Sequence, residues 1–214
     1  MKTLIINGSP KPKGQTMTLA NDLISKLQGE TEVINIYKYM PLKPCLSCGQ
    51  CKQCDCCSQD DYFNDILDKI EEADCIILAS PMWFGNISGP MMSFLSRLNV
   101  RRNGYEVRKD MVHKWNKTGI LIMTTGARWK SMAKSVEATV EFYFKAMDAL
   151  MLGAIYANKT DVLPSKENAY ATTQCEYIAR QINEWYERKE NGLPFMYGYS
   201  SWNYMDYEDN RKNQ

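Results

Sequence analysis

The chain begins with an apolar segment, Thr3-Leu4-Ile5-Ile6-Asn7, that runs directly into the polar segment Gly8-Ser9-Pro10-Lys11-Pro12-Lys13-Gly14-Gln15-Thr16. Apolar residues then recur at helical spacing as far as Leu27, and Gly29 follows where a helix commonly ends. This order predicts a strand, a loop and the N-terminus of a helix. Unpaired backbone N–H groups and the positive end of the helix dipole favour a phosphate at such a loop. An ordinary polar β–α connection fits the same pattern, so both interpretations stay open here.

Four further apolar segments alternate with helical patterns, and between them residues 99–116 are polar and irregular. The apolar segments span residues 32–36, 75–79, 119–123 and 152–156, and the predicted helices are one capped by Asp60 or Asp61, one with Pro90 in its first turn, one over about 131–150 and one carrying Cys175 to Trp185. Parallel neighbours need crossover connections. We therefore predict an α/β fold with a doubly wound five-stranded parallel sheet in the order 2-1-3-4-5.

Ligands of such a sheet bind beyond the carboxyl ends of the strands, where the winding direction reverses. The loops 8–16, 80–86 and 124–127 meet this condition. The second of them, Ser80-Pro81-Met82-Trp83-Phe84-Gly85-Asn86, supplies the apolar walls and backbone groups that a flat conjugated ring needs. Trp83 and Phe84 could instead pack in the core, but the proline before them and the Gly-Asn pair after them favour an exposed loop.

Composition limits the class of protein. The chain has 214 residues, with 26 Lys and Arg against 25 Asp and Glu and a net charge of +1, which predicts no general attraction to nucleic acid or to an anionic membrane. We expect one domain over residues 1–190, followed by a polar and aromatic tail over 191–214. No apolar run is long enough to span a membrane and no signal peptide is recognisable, so we expect a soluble, cytoplasmic protein.

Six of the 8 cysteines fall within one short loop, residues 44–58, namely Cys45, Cys48, Cys51, Cys54, Cys56 and Cys57. In a reducing compartment such a cluster indicates metal binding or redox chemistry and not a disulfide framework, whereas Cys75 and Cys175 lie in apolar contexts and are expected to be buried. The spacing Cys45-x2-Cys48-x2-Cys51-x4-Cys56 is typical of a [4Fe–4S] site. Zinc and spare thiols are the alternatives, and Cys54 and Cys57 leave the fourth ligand ambiguous.

Several motifs together resemble one known family. They are Gly8-Ser9-Pro10 with Gly14-Gln15-Thr16, Pro44-Cys45-Leu46-Ser47-Cys48 with Asp60-Asp61, Ala73-Asp74, Ser80 to Asn86, and Thr125-Gly126. Over residues 1–155 the chain resembles the flavodoxin-like NAD(P)H-dependent FMN reductases, and within them the iron–sulfur flavoprotein branch. The resemblance implies a flavodoxin-like fold, FMN as cofactor, NAD(P)H as co-substrate and a [4Fe–4S] cluster in the cysteine loop.

The resemblance also implies roles for individual residues. The phosphate of FMN would be held by Ser9, Lys11, Gly14, Gln15 and Thr16, the ring would be bordered by Pro81, Met82, Trp83, Phe84, Gly85 and Asn86, and the pocket would be completed by Thr124, Thr125 and Gly126. The flavin would take a hydride from NAD(P)H and pass electrons to a quinone, a nitroaromatic, a free flavin or an internal cluster, with no side chain acting as a general base. The family usually has Asn at the position of Gln15.

The irregular segment carries the remaining charged candidates. His113 is expected to be a surface residue. The cluster of Arg97, Arg101, Arg102 and Arg108 could be a solvated face, a contact for a cofactor phosphate or a subunit contact, and the solvated face is the expectation preferred here. A homodimer or homotetramer is predicted, because the number of large apolar residues exceeds what a monomer of this fold would cover. These residues are Met91, Met92, Trp115, Trp129, Met132 and the aromatic residues of 195–207.

Two other functions stay open. One is a non-enzymatic electron carrier like flavodoxin, although such carriers are typically acidic and this chain is neutral. The other is a thiol-based redox or metal sensor that uses the cysteine loop without a flavin.

Overall fold

The computed structural model describes residues 1–128 and 131–193. Its strands are β1 (Lys2–Asn7), β2 (Glu30–Asn35), β3 (Cys75–Pro81), β4 (Lys117–Thr124) and β5 (Ala149–Ala157). They form one parallel sheet in the order β2-β1-β3-β4-β5. The predicted fold class and strand order are therefore confirmed.

Helices cover both faces of the sheet. They are α1 (Gln15–Ile24), α2 (Phe63–Glu72), α3 (Gly89–Ser96), α4 (Asn99–Asn103), α5 (Ser131–Ala146) and α6 (Ala169–Glu190). Successive strand residues point to opposite faces. Leu4 and Ile6 accordingly join the core formed with α2, α3 and α5, while Ile5 joins the core formed with α1 and α6. Cys75 and Cys175 are buried in this second core, as predicted.

Some element boundaries differ from the predicted ones. The helix predicted to reach residue 150 ends at Ala146, because Asp148 adopts a left-handed backbone conformation (φ 58°) that a right-handed helix excludes. Its carboxylate then accepts hydrogen bonds from the backbone N–H groups of Lys114 and Trp115. The second strand ends at Asn35, whose side chain caps a 3-10 turn over Ile36–Tyr39.

The segment predicted to be irregular contains two helical turns. Helix α4 is followed by a π-helical turn over Gly104–Arg108, and residues 109–116 have no regular structure. In the parts of the chain that the structure describes, no helix has the length and apolar character needed to cross a bilayer. Residues 194–214, which make up most of the predicted tail, and Trp129 lie outside the described residues, and the side chain of Met132 is not described either.

Candidate cofactor sites

Three loops meet at the carboxyl edge of the sheet. The N–H group of Gly8, after β1, donates to the carbonyl oxygen of Ala79 in β3 at 2.8 Å. The N–H group of Met82, after β3, donates to the carbonyl oxygen of Thr124 at 2.8 Å. The buried hydroxyls of Thr16 and Thr124 lie 2.7 Å apart and are hydrogen-bonded. The structure therefore brings the first and third predicted loops into direct contact, with the second loop beside them.

The first loop ends at an uncapped helix N-terminus. Gly14 precedes α1, and among the described residues no side chain caps this helix and no acidic residue lies in its first turn. The Lys11 carbonyl accepts from the Gly14 N–H group at 2.9 Å, and a Cβ at position 14 would lie only 2.9 Å from the Lys11 Cβ. The buried Ser9 hydroxyl accepts from the Lys11 N–H group at 3.3 Å. The first-turn N–H groups of α1 are thus available to an anion.

Gln15 has a different set of contacts from the other predicted phosphate residues. Its side-chain oxygen accepts from the Ser165 N–H group at 2.7 Å, and its backbone carbonyl accepts from the Ser165 hydroxyl at 2.9 Å. Ser165 begins the 3-10 turn that follows β5. Gln15 therefore ties α1 to this turn, and its contact with a phosphate stays a prediction.

The second loop is a tight turn that exposes its aromatic residues. Trp83 and Asn86 exchange two backbone hydrogen bonds, at 2.9 and 3.1 Å. Phe84 (φ 50°) and Gly85 (φ 74°) both have positive φ, as in a type I′ turn. The Phe84 side chain is fully exposed and Trp83 is 44% exposed. The predicted exposed loop is confirmed, and the left-handed conformation of a bulky residue such as Phe84 marks a strained position of the kind found at functional sites.

The third loop is held from β5, and the exposed side chain of Asp161 lies against Gly126. The Thr125 N–H group donates to the Ala157 carbonyl at 2.9 Å, and the Thr125 hydroxyl accepts from the Ala127 N–H group at 3.1 Å. A Cβ at position 126 would lie 2.0 Å from a carboxylate oxygen of Asp161. The backbone of this loop is therefore fixed beside the Thr16–Thr124 contact.

Ser88 is a candidate that the sequence analysis missed. Its hydroxyl is fully buried and has no hydrogen-bond partner among the residues described, and a Cβ at Gly8 would lie 2.8 Å from it. A serine directly before α3 resembles an ordinary N-cap, yet its side chain does not cap that helix. This unpaired buried hydroxyl is energetically costly, and it lies directly against the first loop.

Four free thiols line one cavity of about 290 Å³ beside α3 and α4, namely Cys45, Cys48, Cys51 and Cys57. Three of them are predicted metal ligands. The fourth predicted ligand, Cys56, is instead disulfide-bonded to Cys54. Asn64 fixes Cys57 by accepting from its N–H group at 2.9 Å and donating to its carbonyl at 3.0 Å. Within residues 1–128 and 131–193, no three His, Cys, Asp or Glu side chains are already arranged to hold a metal ion.

Arg97 lies in the wall of this cavity and is fully buried. Its Nη1 atom donates to Asp61 at 2.5 Å, and its guanidinium lies 4.3 Å from the centre of the Phe63 ring. Burial by itself would lower the pKa of Arg97, but hydrogen bonds to Asp61 and Cys57 raise the pKa above its usual value. The Nε and Nη2 atoms have no geometrically sound hydrogen-bond partner in the described part of the chain. Two buried cationic donors are therefore left over at a cavity lined by thiols.

The expected solvated arginine face is wrong for three of its four members. Arg97, Arg101 and Arg108 are almost fully buried, and only Arg102 is half exposed. Arg101 and Arg108 both pair with Asp55, and Arg108 also donates to the backbone carbonyl of Cys51. Carboxylates from distant parts of the chain thus bury these arginines and attach the cysteine loop to α4 and the turn after it.

His113 is partly exposed, with 20% of its side chain accessible, and it is held by specific contacts. Its ring stacks between Tyr105 and Trp115, with centroid distances of 3.7 and 4.3 Å, and its Nδ1 atom lies 3.1 Å from Asp148. Asp61 also has a more specific role than a helix cap, because it accepts from the Phe63 N–H group and from Arg97.

Comparisons with known proteins agree with this geometry. An iron-sulfur flavoprotein from Archaeoglobus fulgidus is 33% identical over 131 residues, which cover 60% of this chain and 61% of that protein. An iron-sulfur flavoprotein from Methanocaldococcus jannaschii is 33% identical over 114 residues, covering 52% of this chain and 58% of that one. The matches thus span less than two thirds of either relative's length.

A solved structure and a family model complete the comparison. The FMN-dependent NADH-azoreductase from Bacillus anthracis, in complex with FMN, superposes with a TM-score of 0.62 over 86% of this chain and 100% of that chain. The sequence identity is only 14%, so this similarity supports the fold alone. The family model described as NADPH-dependent FMN reductase matches residues 1–161. Since this match covers more than half of the sequence, the chain belongs to the NADPH-dependent FMN reductase family.

Proposed function

We propose that this protein is an oxidoreductase that binds FMN at the carboxyl edge of its sheet, takes a hydride from NAD(P)H and delivers electrons to an acceptor. The observation that supports this proposal most directly is the contact between the Thr16 and Thr124 hydroxyls at an uncapped helix N-terminus. Bound FMN supplies the hydride and electron chemistry. The residues of the chain bind and orient it, and none of them needs to transfer a proton.

Each loop contributes a different part of the proposed flavin site. The first-turn N–H groups of α1 and the Ser9 and Thr16 hydroxyls would hold the phosphate. Trp83 and the Phe84 turn would border the ring, and the fixed backbone at Thr125 and Gly126 would close the pocket. The uncapped end of α1, with unpaired N–H groups in its first turn, fits a phosphate that approaches the backbone closely.

An absorbance and binding experiment tests this proposal. The full chain is purified, apo-protein is titrated with FMN, and flavin fluorescence gives the dissociation constant. Thr16→Val is expected to weaken binding roughly 10- to 150-fold, because a hydrogen bond to a charged phosphate contributes about 1.5–3 kcal/mol. Thr139→Val, on the exposed side of α5, is the matched control. The proposal is refuted if the wild-type chain binds no FMN, or if NAD(P)H does not bleach the flavin bands of the complex anaerobically.

We also propose that Cys45, Cys48, Cys51 and Cys57 hold a [4Fe–4S] cluster, with Cys57 replacing Cys56 as the fourth ligand. All four thiols line one cavity, and the buried Arg97 presents two unpartnered donors there. Such a cluster with four thiolates carries net negative charge, so these cationic donors fit it and would otherwise be costly. When present, the cluster supplies a one-electron acceptor.

The choice between Cys57 and Cys56 is directly testable. Each cysteine is replaced by serine, and iron, acid-labile sulfide and the visible spectrum are measured after anaerobic purification. Cys57→Ser is expected to lose the cluster, while Cys56→Ser is expected to retain it because Cys54 and Cys56 are bonded to each other and do not line the cavity. The reverse result would show that the sequence-based ligand set, with Cys56, was correct.

Helix α3 places the two proposed sites in one structural unit. It begins at Gly89, shortly after the aromatic turn, and ends at Ser96, whose hydroxyl accepts from the Cys45 N–H group at 3.1 Å. Eight residues at 1.5 Å each make a helix of about 12 Å. This continuity favours an internal cluster as acceptor, and quinones, nitroaromatics and free flavin are the small-molecule alternatives.

A further inference from the structure

Donor side chains meet the thiols that line the cavity. The Nδ2 atom of Asn103 lies 3.1 Å from the Cys51 sulfur, and the Nδ2 atom of Asn99 lies 3.6 Å from the Cys45 sulfur. An amide nitrogen can only donate, so a thiol or thiolate must be the acceptor in both contacts. Both asparagines lie on α4, which therefore presents two N–H donors to two different cysteines.

A third thiol has a donor of a different kind. The Ser58 hydroxyl lies 3.2 Å from the Cys48 sulfur and donates to it whenever that sulfur is a thiolate. Arg97 lines the same cavity, and its Nε and Nη2 atoms have no hydrogen-bond partner among the described residues. Three of the four free thiols thus face a side-chain donor, and two of these donors belong to α4.

Further contacts hold part of this arrangement. The Asn99 Nδ2 atom also donates to the Ser96 carbonyl at 3.2 Å, and Arg101 of the same helix pairs with Asp55 and Glu71. A donor whose position is fixed before the sulfur changes its charge loses little energy to rearrangement. Hydrogen bonds to cluster sulfurs favour the reduced, more negatively charged state and so raise the reduction potential.

We propose that Asn99, Asn103 and Ser58 are positioning residues whose hydrogen bonds to three of the four cysteine sulfurs raise the reduction potential of the cluster. This inference rests on the proposed function, because it requires a cluster in this cavity. It adds that the donors, and not only the cysteine ligands, adapt the cavity to accept electrons from a reduced flavin.

Potentiometric titration of the full chain tests the inference. Asn103→Leu keeps the shape of the side chain and removes the donor to Cys51, and Ser58→Ala removes the donor to Cys48. Each is expected to make one-electron reduction about tenfold less favourable, a shift of about 59 mV to lower potential. The matched control is Arg102→Gln, whose arginine lines the same cavity but donates to Glu106 at 2.9 Å. Its exposed charge is screened, so a much smaller shift is expected.

Iron and sulfide contents, measured on every sample, distinguish a failure of the proposed cluster from a failure of this inference alone. A wild-type chain that binds no iron would overturn the proposed cluster and this inference with it. Variants that keep full iron content and the wild-type potential would overturn the inference alone. Loss of iron from both Asn103→Leu and Ser58→Ala, in folded protein, would also overturn it, since the donors would then be needed for cluster assembly and not for its potential.

Discussion

Replacing one of the two hydroxyls that join the first and third loops should cost more than replacing both. Thr16 and Thr124 are 2% and 4% exposed, and their hydroxyls lie 2.7 Å apart. Thr16→Val removes one partner and leaves the other buried and unpaired, which costs about 1–3 kcal/mol. For a domain of this size, about 2 kcal/mol corresponds to a fall of roughly 4–8 °C in Tm. The double variant, with valine at both positions, buries no unpaired hydroxyl and should regain most of that loss.

A double-mutant cycle on FMN-free protein measures this coupling. Urea unfolding gives the free energy of each variant, and the two single losses are compared with the loss in the double variant. With single losses of about 2 kcal/mol each and most of one loss regained in the double variant, we expect a coupling of about 3 kcal/mol. Thr139→Val again serves as the control, because its hydroxyl donates only to the backbone of its own exposed helix in the contacts described. Strictly additive losses would refute the conclusion that the two loops are joined through these hydroxyls.

Three further predictions concern the turn, acid stability and assembly. Phe84→Asn should raise Tm, because Asn-Gly suits a type I′ turn better than Phe-Gly. The same variant should slow NAD(P)H oxidation, and an unchanged turnover rate would argue against a role for the aromatic ring of Phe84. Burial opposes ionisation of Asp74, but hydrogen bonds from Lys189 and the Lys2 N–H group hold the pKa of Asp74 below its usual value. The ionised carboxylate therefore stabilises the fold at any pH above the usual pKa of Asp, and this stabilisation is lost as the pH falls through the lowered pKa. In urea unfolding, Asp74→Asn should therefore have a lower free energy of unfolding than wild type at pH 7, and the two values should converge near pH 2. Sedimentation should show a homodimer or homotetramer, since Phe84 and Phe142 are exposed, and a monomer at micromolar concentration would contradict this.

The strands were predictable because each signal lies within a few consecutive residues. Leu4, Ile5 and Ile6 are buried on alternate faces, and any pairing of this segment within a sheet would place them so. The end of α5 was not predictable in the same way. It depends on Asp148, whose conformation is stabilised by hydrogen bonds from Lys114 and Trp115, more than thirty residues away.

In the candidate sites too, features set by neighbouring residues were predictable and features set by distant residues were not. The exposed turn at Trp83 and Phe84 is encoded by its neighbours in sequence, and it was predicted. The burial of Arg97 depends on Asp61, which approaches only when α2 and α3 pack together, so a local charge pattern suggests a solvated face instead. Ser88 was missed because its neighbours make it look like an ordinary cap.

The fourth thiol shows why spacing cannot choose between adjacent cysteines. Cys56 and Cys57 are both close enough in sequence to complete the pattern begun by Cys45, Cys48 and Cys51. The structure distinguishes them through Asn64, which binds both backbone groups of Cys57 from the first turn of α2. This clamp ties Cys57 to the helix that also supports Arg97 through Phe63. Cys57 and the buried guanidinium of Arg97, which line the same cavity, are therefore both supported by α2, and this favours Cys57 over Cys56 as a ligand of a bound anionic group.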